Sequence, residues 1–401
     1  MQRTASTIVV AMIALTMQAS AFVLRYAAPT KASVSADEEA VVLTAVDMLQ
    51  GDVQRVLGIN LEITDHDASI IIGTMGGSNA KRIARSGINL DYLVGRKQAF
   101  VMAVDAEGHL VIAGSDAAGT AYGIIELTRQ LGVSPWEWWA DVEPELRQEF
   151  TLPEGFHTQQ LPDVLFRGIF INDEDFGFLP WVVFNYEPNE LGAIGPRTTE
   201  RIFQLMLRLR ANLYWPPMHE QTLPFFLTAG NAELASRYGI YLGSSHCEPL
   251  ACDVAGEWPR RGQGDYNWAT NSNAVTAFWE RRVAETANLP MVYTLGMRGV
   301  HDGAMQGYED ADAYHDQQYS DGSGGQHRPL PLLIEDLPDG PCCHDGGSHE
   351  HHHAHHDEHL YMGNIIRCAG DETGGRELSD LLHRERLYPF KHQPPQPCGK
   401  I

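Results

Sequence analysis

Hydrophobic and polar positions divide the chain into three stretches of different rhythm. In the first, Val41, Val42, Ala45, Val46, Leu49, Val53 and Val56 recur at helical spacing, which predicts an amphipathic helix over Glu38 to Leu57. Ser69 to Gly73 (SIIIG) predicts a buried strand closed by glycine. Ala99 to Val104 and His109 to Ala113 flank Asp105-Ala106-Glu107-Gly108 as the arms of a hairpin. Gly119 to Leu131 predicts a helix stopped by Gly132, and Ser134-Pro135-Trp136-Glu137-Trp138-Trp139 follows as a rigid aromatic turn. These elements predict an α+β domain over residues 22–162.

After Pro162 strands and helices alternate. Val164 to Ile171 is a nearly unbroken apolar run, the pattern of a strand buried on both faces in a parallel sheet. Thr198 to Arg210 predicts a helix, Asn212 to Trp215 a strand, Asn231 to Tyr238 a helix, Ile240 to Leu242 a strand, Asn273 to Ala287 a helix and Met291 to Leu295 a fourth strand. The expected fold class is therefore α/β: an α+β N-terminal domain, then over residues 163–326 the first half of a (β/α)8 TIM barrel. From about residue 327 the period is lost. Ser348 to His359 is a His-rich tract and Gln393 to Lys400 is Pro-rich, so residues 327–401 are expected to form a largely irregular, disordered tail.

Charge narrows the partners. The 401 residues hold 52 acidic and 29 basic side chains, a formal net charge of −23, which argues against nucleic acid because that affinity rests on Lys and Arg neutralising phosphates. Arg3, the short apolar run Ile8 to Met17 and Ala19-Ser20-Ala21 predict a signal peptide over residues 1–21, hence a secreted or periplasmic protein with no membrane segment after cleavage. Six cysteines follow no disulfide framework: Cys247 and Cys252 lie mid-chain, and Cys342, Cys343, Cys368 and Cys398 lie in the tail.

Each predicted strand of the second stretch ends in polar residues. Asp173, Glu174 and Asp175 follow the first, His219 and Glu220 the second, His246 and Glu248 the third, and Arg298, His301 and Asp302 the fourth. Strand carboxyl ends are where α/β barrels place their chemistry. Two carboxyl groups across a scissile bond suit glycoside hydrolysis, one as acid and one as base or nucleophile. A guanidinium such as that of Arg298 can take a sugar carboxylate bidentately. The bland readings stand beside these: solvated loop charges for Glu174 and Asp175, a helix cap or satisfied buried group for His219, and an ion pair for Arg298 and Asp302. Trp136, Trp138 and Trp139 fit either a sugar-stacking surface or a packed hinge between domains. His246, Cys247, Cys252, His301 and Asp302 match no standard zinc spacing, so no metal or other cofactor is expected.

FRGIFINDEDFGFLPW, RLRANLYWPPMH, YGIYLGSSHCEP, GEWPRRGQGDYNW and YTLGMRGVHDGAM resemble glycoside hydrolase family 115, the xylan α-1,2-glucuronidases, and GTAYGIIELTRQLGVSPWEWWADV resembles the end of that family's N-terminal domain. The resemblance covers about Phe22 to Gly307. It implies an α/β N-terminal domain, a (β/α)8 barrel and metal-free, inverting release of (4-O-methyl)glucuronic acid from glucuronoxylan or aldouronic oligosaccharides. It further implies that Asp173, His246, Arg298 and Asp302 line the sugar pocket. Arg298 or His246 would meet the uronate or its hydroxyls, and Asp302 would position or activate water. Asp302 and Asp173 are thus the catalytic candidates; His246, Arg298, Glu174, His219, His301 and Trp136 are the substrate-binding ones. The family's catalytic acid belongs to a later strand. Here the pattern stops near Gln306, and from about His327 the composition is that of an unrelated or frameshifted tail. The expectation is a truncated glucuronidase, with carbohydrate binding without hydrolysis, or a non-functional fragment, as the alternatives. A homodimer is compatible with such folds.

Overall fold

The structure is a computed structural model and describes residues 20–295, 299–301 and 303, with the backbone of 365–366. Most of the predicted signal peptide, Arg298, Asp302 and all but two residues of the expected tail lie outside the described residues.

The first stretch comprises β1 (Phe22–Arg25), β2 (Thr30–Ser33), α1 (Ala40–Leu57), β3 (Leu61–Thr64), β4 (Ile70–Thr74), α2 (Ala80–Arg85), β5 (Phe100–Val104), β6 (Leu110–Gly114), α3 (Ala117–Gln130), β7 (Glu149–Leu152) and β8 (His157–Gln160). Six strands form one sheet in the order β3-β2-β4-β6-β5-β8, while β1 and β7 pair antiparallel apart from it. The side-chain period of two splits each central strand between two cores. Ile70, Ile72, Phe100, Met102, Leu110 and Ile112 join α1 and α3. Ile71, Val101, Ala103, Val111 and Ala113 join Ile83 of α2 and Leu93 on the opposite face. The predicted hairpin forms between β5 and β6. Asp105 holds its turn by accepting the backbone N–H of Glu107 at 2.9 Å and of His109 at 2.8 Å. Helix α3 starts at the Asp116 cap, whose carboxylate accepts the Gly119 N–H at 2.8 Å. Gly119 is required there, since a Cβ would lie 2.1 Å from the Ala99 carbonyl oxygen.

The second stretch comprises β9 (Gly168–Phe170), α4 (Phe178–Trp181), α5 (Pro196–Arg208), β10 (Leu213–Trp215), α6 (Asn231–Tyr238), β11 (Tyr241–Leu242), α7 (Trp258–Arg261), α8 (Trp268–Thr286) and β12 (Tyr293–Thr294). Strands β9, β10 and β11 are parallel neighbours in the order β11-β10-β9. A parallel bridge from Leu242 to Met291 continues the series toward β12. The four predicted strand positions therefore lie side by side in chain order, with α5 and α6 between them. β12 also pairs antiparallel with β13 (Ile365–Ile366). Together the two stretches form a mixed α/β structure, and among the described residues the parallel sheet is open rather than closed into a barrel.

One expectation is corrected. Val164 to Ile171 is not a strand buried on both faces: only Gly168–Phe170 is extended in the sheet, and all three residues are exposed. The apolar run signals two-sided burial, but β9 is an edge strand that pairs, among the described residues, with β10 alone. Upstream of it the chain is held by side chains instead. Asn212 accepts the Arg167 N–H at 2.9 Å and donates to the Leu165 carbonyl at 2.9 Å. The Arg167 guanidinium donates to the carbonyls of Val164 and Leu165. Gly168 lets the backbones approach, because a Cβ there would sit 2.2 Å from the Leu213 carbonyl oxygen.

A single apolar core runs through both stretches, from Val42 and Leu49 on α1 through Phe203 and Met206 on α5 to Tyr238, Phe278 and Trp279. A buried ion pair crosses the same seam. Asp52 on α1 accepts from Arg208 on α5 at 2.8 and 3.0 Å, and from Arg55 at 2.7 Å. The Asp52 and Arg208 side chains are 1% and 7% exposed, so removing one partner strands the other in low dielectric. Asp52→Ala is expected to cost about 3–5 kcal/mol in chemical denaturation, with the lower end favoured because Glu137 lies 3.5 Å from Arg208. An unchanged midpoint would show that Glu137 fully replaces Asp52.

Candidate active site

The carboxyl ends of β9 and β10 meet at one acidic turn. After Ile171 the chain enters a short 3-10 turn, Glu174–Phe176, and the carboxylates of residues 173–175 meet different environments. Asp173 is exposed, Asp175 half-buried and Glu174 wholly buried. Burial of a carboxyl group demands donors. Glu174 finds them on the loop after β10: its Oε1 accepts the His219 N–H at 2.8 Å and the Thr222 hydroxyl at 3.0 Å. Its Oε2 has no hydrogen-bond partner among the described residues. Asp175 then reaches the same histidine from the other side, 2.8 Å from Nδ1.

His219 thus sits among Asp173, Glu174 and Asp175. Partial burial lowers its pKa, but the Asp175 hydrogen bond and the charges of Glu174, Asp175 and Asp173 outweigh that and leave it raised above the usual imidazole range. His301 lies beside it, the two rings edge to face at 6.3 Å. His301 is 2.9 Å from Glu220, and both are about half exposed. The structure therefore brings together five of the predicted site residues or their close neighbours in one cluster: Asp173, Glu174, Asp175, His219 and His301, with Glu220. His246 lies exposed just beyond β11. Arg298 and Asp302 lie outside the described residues.

The tryptophan turn divides between its two readings. Trp138 and Trp139 pack edge to face at 4.9 Å and close on Trp181, which stacks on Tyr186. Trp139 also donates its indole N–H to the Arg201 carbonyl at 3.0 Å, so these two indoles join the halves of the molecule. Trp136 stays exposed, and no contact ties it to the acidic turn. A groove of about 540 Å³ lies beside this turn, lined by Asp52, Arg55, Glu137, Trp138, Arg201 and Arg208. Its charges largely satisfy one another. Away from the strand ends, Asp105, Glu107 and His109 form a group of metal-ligand type, but Asp105 is committed to the hairpin turn.

Behind the acidic turn lies a layer that sequence reasoning missed in part. Glu248 and Asp253, on the loop after β11, are both buried. The Glu248 carboxyl accepts the Ser245 N–H at 3.3 Å and is pushed well up by burial and then by Asp253. Asp253 accepts the Gly256 N–H at 2.7 Å. Burial drives its pKa up to about 7 against that bond, with the charges of Glu257 and Glu174 adding to the rise. Glu257 itself is paired with the buried Arg282. Asp253 Oδ2 and the Tyr214 hydroxyl lack hydrogen-bond partners among the described residues, and burial with the nearby Glu174 charge holds Tyr214 protonated. The signal available in the sequence was the apolar setting of Asp253 in PLACDVAGEW.

Residues 159–317 match the model of glycosyl hydrolase family 115. A solved structure, that of BtGH115A, a family GH115 4-O-methyl-α-glucuronidase with specificity for decorated arabinogalactans, is 53% identical over 75% of this chain, with a TM-score of 0.71. Over residues 159–317 the chain is similar to glycosyl hydrolase family 115. It spans 40% of the length of that relative. A GH20 exo β-N-acetylglucosaminidase from Vibrio harveyi aligns over 76% of this chain and 48% of its own, at 11% identity and a TM-score of 0.43, a likeness too low to decide anything about this fold. No curated protein matches the chain.

A carboxyl group held neutral by its surroundings stabilises the fold where it is protonated. The folded pKa of Asp253 lies above its ordinary value of 3.8, so its contribution is full below that value and is lost as pH rises toward about 7. Asp253→Asn, which keeps an oxygen for the Gly256 N–H, is expected to raise the melting temperature at pH 7.5 and to leave it nearly unchanged at pH 4. An equal shift at both pH values would contradict a buried, proton-holding Asp253.

Proposed function

We propose that this chain carries the strand-end half of a family 115 α-glucuronidase site, acting on α-1,2-linked (4-O-methyl)glucuronic acid of glucuronoxylan or of aldouronic oligosaccharides. The observation that carries this reading is the convergence of Asp173, Glu174, Asp175, His219 and His301 at the ends of parallel strands, within the segment that matches family 115. The three hydrogen-bonded parallel strands and the bridge to Met291 are the first strands of a (β/α)8 barrel in this reading. The relative's specificity for decorated arabinogalactans makes that polymer a second substrate to test. A polysaccharide acted on outside the cell agrees with export directed by residues 1–21.

Inversion needs a general acid at the glycosidic oxygen and a base on the far side, about 6.5–9.5 Å apart with water between. Asp302 is the proposed base. Asp173, exposed to solvent where β9 ends, is the second catalytic candidate. Arg298 and His246 hold the sugar, through the uronate or its hydroxyls. The catalytic acid comes from a later strand of the complete site.

Incubation with glucuronoxylan, and separately with decorated arabinogalactan, is expected to release (4-O-methyl)glucuronic acid first as the β-anomer, followed by proton NMR. Asp302→Asn is expected to lower that rate by about 10²–10⁴-fold while oligosaccharide affinity stays within a few-fold. Tight binding of aldouronic oligosaccharides without any release would reduce the function to carbohydrate binding.

A further inference from the structure

The acidic turn poses an electrostatic problem for the substrate proposed above. Asp173, Glu174, Asp175 and Glu220 gather at the strand ends, and a glucuronate brings one more negative charge. Among the described residues, the basic side chains paired with these carboxylates are His219 and His301. They are not equivalent. His301 and Glu220 are 47% and 54% exposed, so water and salt screen that pair. His219 and Asp175 are 21% and 27% exposed, and the histidine's own backbone N–H is fixed by the wholly buried Glu174. Asp175 occupies Nδ1, and Nε2 makes no hydrogen bond among the described residues. A ring held at its backbone and at one nitrogen has a single polar atom left to offer.

We propose that His219, as an imidazolium, receives the uronate carboxylate through Nε2–H, and that Asp175 and Glu174 are the positioning residues that set its ring and its loop. This assignment rests on the glucuronidase reading and adds a carboxylate receptor to it. Asp175 fixes the protonated form, as a carboxylate beside an imidazole does. Glu174 acts one step further back. It anchors the His219 backbone and Thr222 of the loop after β10 to the turn after β9, which keeps the residue that carries the ring beside Asp175. The groups that face His219 are Asp173, Glu174 and Asp175 from the β9 turn, the His301 ring with Glu220, and Tyr214 of β10 behind Glu174, with Glu248 and Asp253 beyond. Burial of the imidazole is outweighed by the Asp175 bond and the surrounding carboxylates, which keep the charged form to higher pH than in a free histidine. The same arrangement distinguishes a uronic acid from its neutral analogues: an ester or a glucose in its place would forgo the charge-assisted contact with Nε2–H.

The test is calorimetric binding of an aldouronic oligosaccharide and of its methyl ester to the full chain, between pH 5 and 8. For the unmodified protein the acid should bind more tightly than the ester, with the advantage shrinking as pH rises through the raised His219 pKa. His219→Gln should weaken the acid by about 10- to 100-fold, the scale of a charged hydrogen bond, change the ester less than about twofold on the same scale, and abolish that pH dependence. Asp175→Asn should keep acid binding at low pH and move the midpoint to lower pH, a readout that does not need the His219 variant to fold. Equal losses of acid and ester in His219→Gln, or an unmoved midpoint in Asp175→Asn, would overturn the assignment while leaving the glucuronidase reading in place. If the unmodified protein binds neither ligand, both fall.

Discussion

The carboxyl group of Glu174 is the constraint around which the site is arranged. It is wholly buried, and a buried carboxyl group is tolerated only where donors meet it. Those donors come from one place, the His219 backbone and the Thr222 hydroxyl. The turn after β9 and the loop after β10 are therefore locked together at one point. From that lock follow the outward position of Asp173, the approach of Asp175 to His219 and the edge-to-face neighbourhood of His219 and His301.

Below it the structure stacks acid upon acid. Burial raises the pKa of both Glu248 and Asp253, Asp253 adds to the rise of Glu248 and Glu257 to that of Asp253, and Glu174 adds to both. Like charges in low dielectric cannot all ionise, so the layer holds protons at pH values where exposed carboxyls have lost them. It keeps charge at the mouth of the site rather than beneath it, and it makes the few basic groups there count for more. The cationic counterpart lies deeper, where Arg282 meets Glu257 and Glu285 under the aromatic ring of Phe226.

The two halves of the molecule are joined by an ion pair, a hydrogen bond and a shared apolar core. The Asp52–Arg208 pair, the Trp139 bond to Arg201 and the shared core of α1, α3, α5 and α6 cross the boundary near Pro162 that the change of rhythm marks in the sequence. The position of the acidic turn therefore depends on the N-terminal sheet as well as on the strands that carry it. Arg167 shows this directly, since its guanidinium reaches Gln98 and Tyr122 of the first half while its backbone leads into β9.

Much of this was legible from the sequence because it is local. Helical spacing gave α1, α5 and α6 within a few residues, the hairpin at Asp105 followed from its turn residues, and the four strand positions of the second half came from short apolar runs between polar ends. The candidates Asp173, Glu174, His219 and His301 were named by the same rule, that chemistry collects where strands end. What the sequence could not supply is long-range. Periodicity does not say which side of a strand has a neighbour, so Val164 to Ile171 promised two-sided burial and β9 turned out to be an exposed edge. Nor does spacing say which of three consecutive carboxylates turns inward. Only the packing of the β10 loop makes Glu174 the buried anchor, Asp175 the partner of His219 and Asp173 the exposed one, because hydrogen-bond donors 44 to 48 residues away must be brought within 3 Å before burial is affordable.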